Sequence, residues 1–336
     1  MTGAGTLSVS NNMVTQAEAV ELIKQGDYLI IAGDEAVLQN LPTGNWIAGT
    51  IPYFMTEQGG QLDQQHLYVT QISGIAPNAR PYLTMYDVSS ISRVASEAPE
   101  HGFTILLLPS GSEVHTEYAQ NAPDYQDMFF SPIVGWIAGA RLDDPNAPSP
   151  KVGFGPGGNL NDAQAVAMHI PLQESQVAQV HIINLFAQGN GPEITFEEHG
   201  VDVSECLVNG EKWKFADYLK ESKVDTRLPL VADYSGVLVN VSIQEVKEDS
   251  TKLYAPVFPG IKYKFAEPVG DYVESFNSSI KDIDQNGISF SCNCILNYLY
   301  GELEGRKTGF QGPMTFGEVA YQLLNQTLVY LKIETI

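Results

Sequence analysis

The sequence predicts an α/β protein: mixed sheets with flanking helices, built from repeated strand-helix-bend-strand units in two packed domains. Three observations carry this. The tetrapeptide Trp-Ile-Ala-Gly occurs twice, as Trp46-Ile47-Ala48-Gly49 and Trp136-Ile137-Ala138-Gly139, each time between two apolar, strand-like runs. Internal repetition of this kind marks repeated architecture. Strand-like and helix-like stretches alternate along the chain, the pattern of α/β folds. A third, divergent copy of the unit closes the sequence around Thr315-Phe316-Gly317-Glu318.

The elements follow in order. Thr15 and Glu18 make a Thr-x-x-Glu capping box before an apolar stripe of Ala17, Val20, Leu22 and Ile23, and Gly26 stops that helix. Residues 28–32 (YLIIA) form a buried strand, 34–39 a short helical block and 42–45 a turn into the first bend; 66–72 (HLYVTQI) returns. The second unit repeats the order. A strand at 103–108 (FTILLL) is broken by Pro109-Ser110-Gly111, and a helix lies within 115–130. The second bend follows, then a Pro- and Gly-rich loop at 146–158 and a return strand at 163–172. In the third unit, 288–294 (ISFSCNC) alternates like a strand. A helix through Ile295, Leu296, Tyr298 and Leu299 follows, then a Gly-rich bend at 309–320 and a return strand at 327–333 (TLVYLKI). Between the second and third units, 180–186, 237–246, 253–258 and 263–265 read as strands and 214–221 as a helix. The division expected is a mobile, polar tail at 1–14, a first domain at 15–204 and a second at 205–336.

At 336 residues the chain is long enough for two domains. Eighteen Lys and Arg stand against 40 Asp and Glu, a net charge of -22. Nucleic acid and anionic membrane are therefore not expected partners, because both are bound by clustered cations. No apolar stretch approaches bilayer length, and the first residues lack the pattern of a secretory signal. With only Cys206, Cys292 and Cys294 present, a reducing, cytoplasmic setting is expected.

Bends at corresponding strand ends can converge on one pocket. Trp46, Trp136 and Phe316 would then supply apolar walls, Gly49, Gly139 and Gly317 close backbone approach, and Thr50, Arg141, Thr315 and Glu318 polar handles. Each glycine taken singly is equally explained by a tight turn or close packing. Arg141 is one of few cations, and its guanidinium can grip a carboxylate at two points, which points to an anionic or zwitterionic metabolite such as an amino acid. A salt bridge to Asp143 or Asp144 accounts for it equally well.

Other motifs carry less. Cys292-Asn293-Cys294 puts both sulfurs on one strand face, but zinc needs about four ligands and buried packing explains the pair better. His66 and His169 fall on return strands, where a lone histidine is more often a satisfied core or surface residue than a haem ligand. The Asp282-Ile283-Asp284-Gln285-Asn286-Gly287 run lacks the terminal Glu of a calcium loop and reads as a turn. Residues 153–158 (GFGPGG) precede a strand, not the helix a dinucleotide loop requires. No nucleophile elbow, H-E-x-x-H or P-loop occurs, so catalysis is not expected and no cofactor is called for.

The C-terminal third adds a resemblance. Phe290-Ser291-Cys292, the GFQGPMTFGEVA stretch at 309–320 and LLNQTLVYL at 323–331 resemble the end of the FIST sensory domain: a Ser-Cys strand, a Gly-Phe bend into an aromatic-Gly-Glu, and a final strand preceded by an Asn-Gln pair. The segment 208–219 (VNGEKWKFADYL) is similar to the family's short turn plus helix. Both Trp-Ile-Ala-Gly blocks resemble its N-terminal half, although Ile51-Pro52 stands where an acidic residue is usual and Trp136 where a small one is. The resemblance implies a cytoplasmic, ligand-binding signal-input module. It further implies output through a separate kinase, cyclase or chemotaxis-type protein. Some family members bind haem and sense nitric oxide, so a haem-based gas sensor is the alternative; an enzyme of unrecognised mechanism and a pure protein-interaction platform are the others.

Overall fold

A computed structural model describes residues 7–75, 80–234, 237–285 and 287–336. The first unit runs β1 (Ser8–Thr15), α1 (Gln16–Gln25), β2 (Tyr28–Gly33), α2 (Glu35–Leu38), β3 (Trp46–Thr50), β4 (Tyr53–Thr56), β5 (Gly59–Leu62) and β6 (His66–Ser73). The second runs β7 (Tyr82–Tyr86), β8 (Gly102–Pro109), α3 (Glu113–Asn121), β9 (Ile133–Ala138), β10 (Val152–Phe154), β11 (Asn159–Asn161) and β12 (Ala165–Pro171). The third opens with β13 (Gln176–Ile183) and is interrupted by an insert. That insert comprises β14 (Ile194–Thr195), β15 (Gly200–Val203), β16 (Glu205–Val208), β17 (Glu211–Lys214), α4 (Phe215–Glu221), β18 (Leu230–Tyr234), β19 (Val237–Val241), β20 (Ile243–Val246), β21 (Thr251–Val257) and β22 (Tyr263–Phe265). The third unit resumes with α5 (Tyr272–Ile280), β23 (Ile288–Cys294), α6 (Ile295–Tyr300), β24 (Gly312–Thr315), β25 (Glu318–Ala320), β26 (Gln322–Leu324) and β27 (Leu328–Thr335).

Three 6-stranded sheets share one strand order: β1-β6-β2-β3-β10-β11, β7-β12-β8-β9-β25-β26 and β13-β27-β23-β24-β4-β5. In each, the third and fourth strands are parallel and joined through a helix, and the return strand adds antiparallel. The outer two strands always form a hairpin from another unit. Unit one lends β4-β5 to the third sheet, unit two lends β10-β11 to the first, and unit three lends β25-β26 to the second. The exchange is cyclic, so the three units interlock into a closed ring.

Strand alternation sorts side chains between an inner and an outer core. Ile30 and Ala32 of β2, Ile105 and Leu107 of β8, and Phe290, Cys292 and Cys294 of β23 face one shared central core, which α5 completes with Tyr272, Phe276 and Ile280. The opposite residues, Leu29 and Ile31, pack under α1 and α2. Leu106 and Leu108 pack under α3 and against the insert, whose Phe196, Phe215 and Tyr263 lie in the same cluster.

The α/β class is as expected, and so is the threefold repetition; several details are corrected. Each Trp-Ile-Ala-Gly lies in or at the end of a buried parallel strand (β3, β9), not in a bend, because its apolar residues complete a sheet. Residues 8–14 of the expected tail belong to edge strand β1, whose polar alternation reflects a solvent-facing side; residues 1–6 lie outside the described residues. The loop at 146–158 contains β10. Ser204, where the second domain was expected to begin, falls inside the insert, between β15 of its 3-stranded sheet and β16 of its 6-stranded sheet, while β13 pairs with the last strand, β27. The natural division is ring against insert. Thr15 does cap α1: its Oγ1 accepts from the Glu18 N–H, the Glu18 carboxylate accepts from the Thr15 N–H, and Gly26 stops the helix at φ 85°.

Candidate functional site

Ligands in α/β sheets usually sit beyond the carboxyl ends of the parallel strands. Here the ends of β3 and β9 meet. The Gly139 N–H donates to the Thr50 carbonyl at 2.7 Å, and Thr50 Oγ1 donates to the Gly139 carbonyl at 2.8 Å. Thr50 Oγ1 also accepts from the Lys151 N–H at 2.9 Å. The Thr50 hydroxyl thus both donates and accepts in stitching unit one to unit two.

Above this junction opens a cleft of about 80 Å³, lined by Asp34, Glu35, Thr50, Gln64, Gly139 and Arg141 among others. It carries both charges. Arg141 forks onto Asp143, with Nε at 2.6 Å and Nη2 at 2.9 Å, and its Nη1 donates to Gln64 at 3.1 Å. The hydrogen bonds from Arg141 hold the Asp143 carboxyl below the usual carboxylate range. Lys151 Nζ lies 2.7 and 2.8 Å from the Glu35 carboxylate oxygens. Asp34 caps α2, accepting from the Ala36 N–H, and receives Gln64 Nε2 at 2.9 Å. The salt-bridge reading of Arg141 is therefore what the resting geometry contains.

Beneath the cleft, the other expected site residues converge on a packed hub, not on an open pocket. Gly49 faces the Trp136 ring so closely that a Cβ there would lie 2.6 Å from Nε1, and a Cβ on Gly139 would strike the Phe316 ring. Close packing explains both glycines. Trp136 stacks on Phe290 with ring centroids 5.8 Å apart. Thr315 Oγ1 is turned inward onto the Gly317 carbonyl, and the Gly317 carbonyl in turn accepts from the Ile137 N–H. Trp46 does not join them. It faces outward under α1, with its Nε1 donating to the Pro42 carbonyl at 2.8 Å.

Glu318 pairs across the sheet with Trp136 and is completely buried. Burial pushes its carboxyl up to about 8, against weaker opposing hydrogen bonds from Thr327. Burial likewise drives the Cys292 and Cys294 thiols well above their ordinary range, and Cys292 Sγ donates to the Gly135 carbonyl. These are packing cysteines. Among the described residues, no group of three or more His, Cys, Asp or Glu side chains is placed to hold a metal ion. His169 fits haem poorly: one ring nitrogen meets Tyr86 at 3.0 Å and the other Thr104 at 2.8 Å, leaving neither for iron. His66 is tied to Asp63. In the acidic turn near 284, Asn286 lies outside the described residues.

Asp34, Glu35, Gln64 and Lys151 were not singled out in the sequence. Asp34 carried a signal, since an Asp directly after a buried strand and before a helical block is a cap at a strand's carboxyl end. Lys151 carried only its rarity.

The architecture defines a class: an interlocked three-unit α/β ring with a β-rich insert and a small, doubly charged cleft at its strand ends. The chain belongs to DUF6976, a family of unknown function, whose model matches residues 14–334. No curated protein matches it. No helix among the described residues is long and apolar enough to cross a membrane.

Proposed function

We propose that this protein is a non-enzymatic sensor that takes the head group of a small zwitterionic or carboxylate metabolite, such as an amino acid, in the cleft over β2, β3 and β9. The observation that carries this reading is the meeting of two units at the Thr50–Gly139 junction beneath exchangeable pairs of both signs. A ligand carboxylate replaces Asp143 on the Arg141 fork, and a ligand ammonium competes with Lys151 for Glu35. A volume near 80 Å³ is far below the roughly 300–1,000 Å³ of drug-sized pockets, so only a head group enters and the remainder faces solvent. Because the cleft spans two units, occupancy shifts their relative packing, which a separate output protein reads. The FIST resemblance supports that role and a cytoplasmic setting.

Binding is favoured over catalysis because the Thr50 hydroxyl at the cleft floor spends its proton on the Gly139 carbonyl and accepts from the Lys151 amide, so it hydrogen-bonds no side chain that could act as its base. The haem alternative draws less support, given the engaged nitrogens of His169. Thermal melting across amino acids and dicarboxylates is the test, with calorimetry on any hit. Stabilisation that disappears in Arg141→Ala is expected. No stabilisation by any member of the panel would remove the reading.

A further inference from the structure

The insert is fastened to the ring by buried amide groups. The Asn325 side chain accepts the Ser242 N–H at 3.0 Å and donates to the Asn240 carbonyl at 3.1 Å. Asn240 Nδ2 donates back to the carbonyls of Asn325 and Gln326, each at 3.3 Å. Ser242 Oγ lies against both side-chain oxygens, and Gln326 Nε2 reaches the Arg227 carbonyl at 3.1 Å. Gln326 holds a left-handed backbone, φ 50°, which a non-glycine residue keeps only when its surroundings impose it.

The next residue, Thr327, binds Glu318. Its Oγ1 donates to Glu318 Oε2 at 2.6 Å, and its N–H donates to the same oxygen at 3.2 Å. Glu318 Oε1 has no hydrogen-bond partner, and neither do Trp136 Nε1 across the sheet, Asn293 Nδ2 and Asn297 Oδ1. The titratable groups facing Glu318 are Cys292 and Cys294 of β23 and Tyr272 of α5. None of them is a cation, so the sealed centre has nothing to neutralise a carboxylate.

We propose that Glu318 is a proton-binding site that locks the insert to the ring: protonated, it leaves the Asn325-Gln326 clamp closed, and ionised, it opens the clamp and admits water. The clamp yields before the hub does, because it is held by polar contacts and a strained turn, whereas the opposite wall is the stacked pair Trp136 and Phe290. This device is separate from the strand-end cleft and stands whether or not a metabolite binds there.

The linkage fixes the form of the test. A carboxyl that binds its proton more tightly when closed (about 8) than when hydrated (4.5) makes opening rise about tenfold per pH unit between those values and level off above them. Hydrogen exchange of the full chain, corrected for intrinsic rates, reads this. Peptides covering β19 and β20 are expected to lose protection with that slope, while those of β2 and β8 keep theirs; in Glu318→Gln the slope is absent. A flat wild-type profile, or a slope that survives Glu318→Gln, overturns the proposal. Infrared spectra of the wild type alone give a second measure should the variant not fold. A protonated-carboxyl C=O band present in mildly acidic buffer and lost as pH rises through about 8 supports the lock, and its absence there overturns it.

Discussion

The carboxyl ends of the parallel strand pairs are treated in two ways within one topology. At the end of β3, where unit one meets unit two, the cleft is open and its charges come in pairs, Arg141 with Asp143 and Lys151 with Glu35. Beyond the end of β24, in unit three, Glu318 is completely buried among hydroxyl and thiol neighbours, beside the Asn325-Gln326 turn that the insert holds. The same strand order therefore yields a solvated ionic site in one place and a sealed neutral one in the other. What covers a strand end decides its chemistry. Water makes paired charges inexpensive and exchangeable, whereas its exclusion forces a lone carboxyl to keep its proton.

The largest expected effect comes from removing the wall between the two regions. Trp136→Ala should cost about 3–5 kcal/mol, seen as a lower denaturant midpoint, because the cavity left beside Gly49 and Phe290 cannot collapse against two sheets. A midpoint close to wild type would mean that the hub is not a packed barrier.

Glu318→Gln comes next and carries a sign. The native carboxyl holds its proton up to about 8, the unfolded one only to 4.5. Wild-type stability is thus complete below 4.5 and is lost progressively as pH rises toward 8. The glutamine variant lacks that slope, so its advantage should grow from nil in acid to on the order of 3 kcal/mol near neutrality. Denaturation curves at several pH values check this; parallel pH profiles for the two proteins would show that Glu318 is not neutral in the native state.

Thr50→Val removes one donated and one accepted hydrogen bond at the unit junction without changing shape much, and should cost about 1–2 kcal/mol in the same assay. The smallest stability change is expected for Arg141→Ala in the open cleft, with a midpoint unmoved within error. Its effect belongs to binding: calorimetry with a stabilising metabolite should show Kd raised by at least about tenfold. A midpoint shift as large as that of Thr50→Val would place Arg141 among the structural residues and blur the contrast.

Much of the ring was legible because its signals are local. The Thr15–Glu18 box and Gly26 bound α1 to the residue, and the apolar runs of β2, β8 and β27 read as buried strands because they are covered on both faces. The lent hairpins were not legible. Three-residue strands such as Val152–Phe154 and Glu318–Ala320 look like loop or bend until another unit's sheet supplies their partners. The insert was not legible as one unit, because β13, which precedes it, finds its partner, β27, only at the far end of the chain. At the site, convergence of the strand ends was readable from the repeat. That aromatic rings would fill the meeting point was not.

The two Trp-Ile-Ala-Gly segments show where this division lies. Sequence alone determined that both are apolar, that both follow a strand-helix pair and that their glycines tolerate close approach. Only the tertiary structure decided that Trp46 faces outward under α1 while Trp136 faces the hub beside Glu318. Alternation fixes that neighbours point to opposite faces, but not which face is inner. That choice is made by register against partner strands far away in the chain, and it is register that seals Glu318 and leaves Arg141 in water.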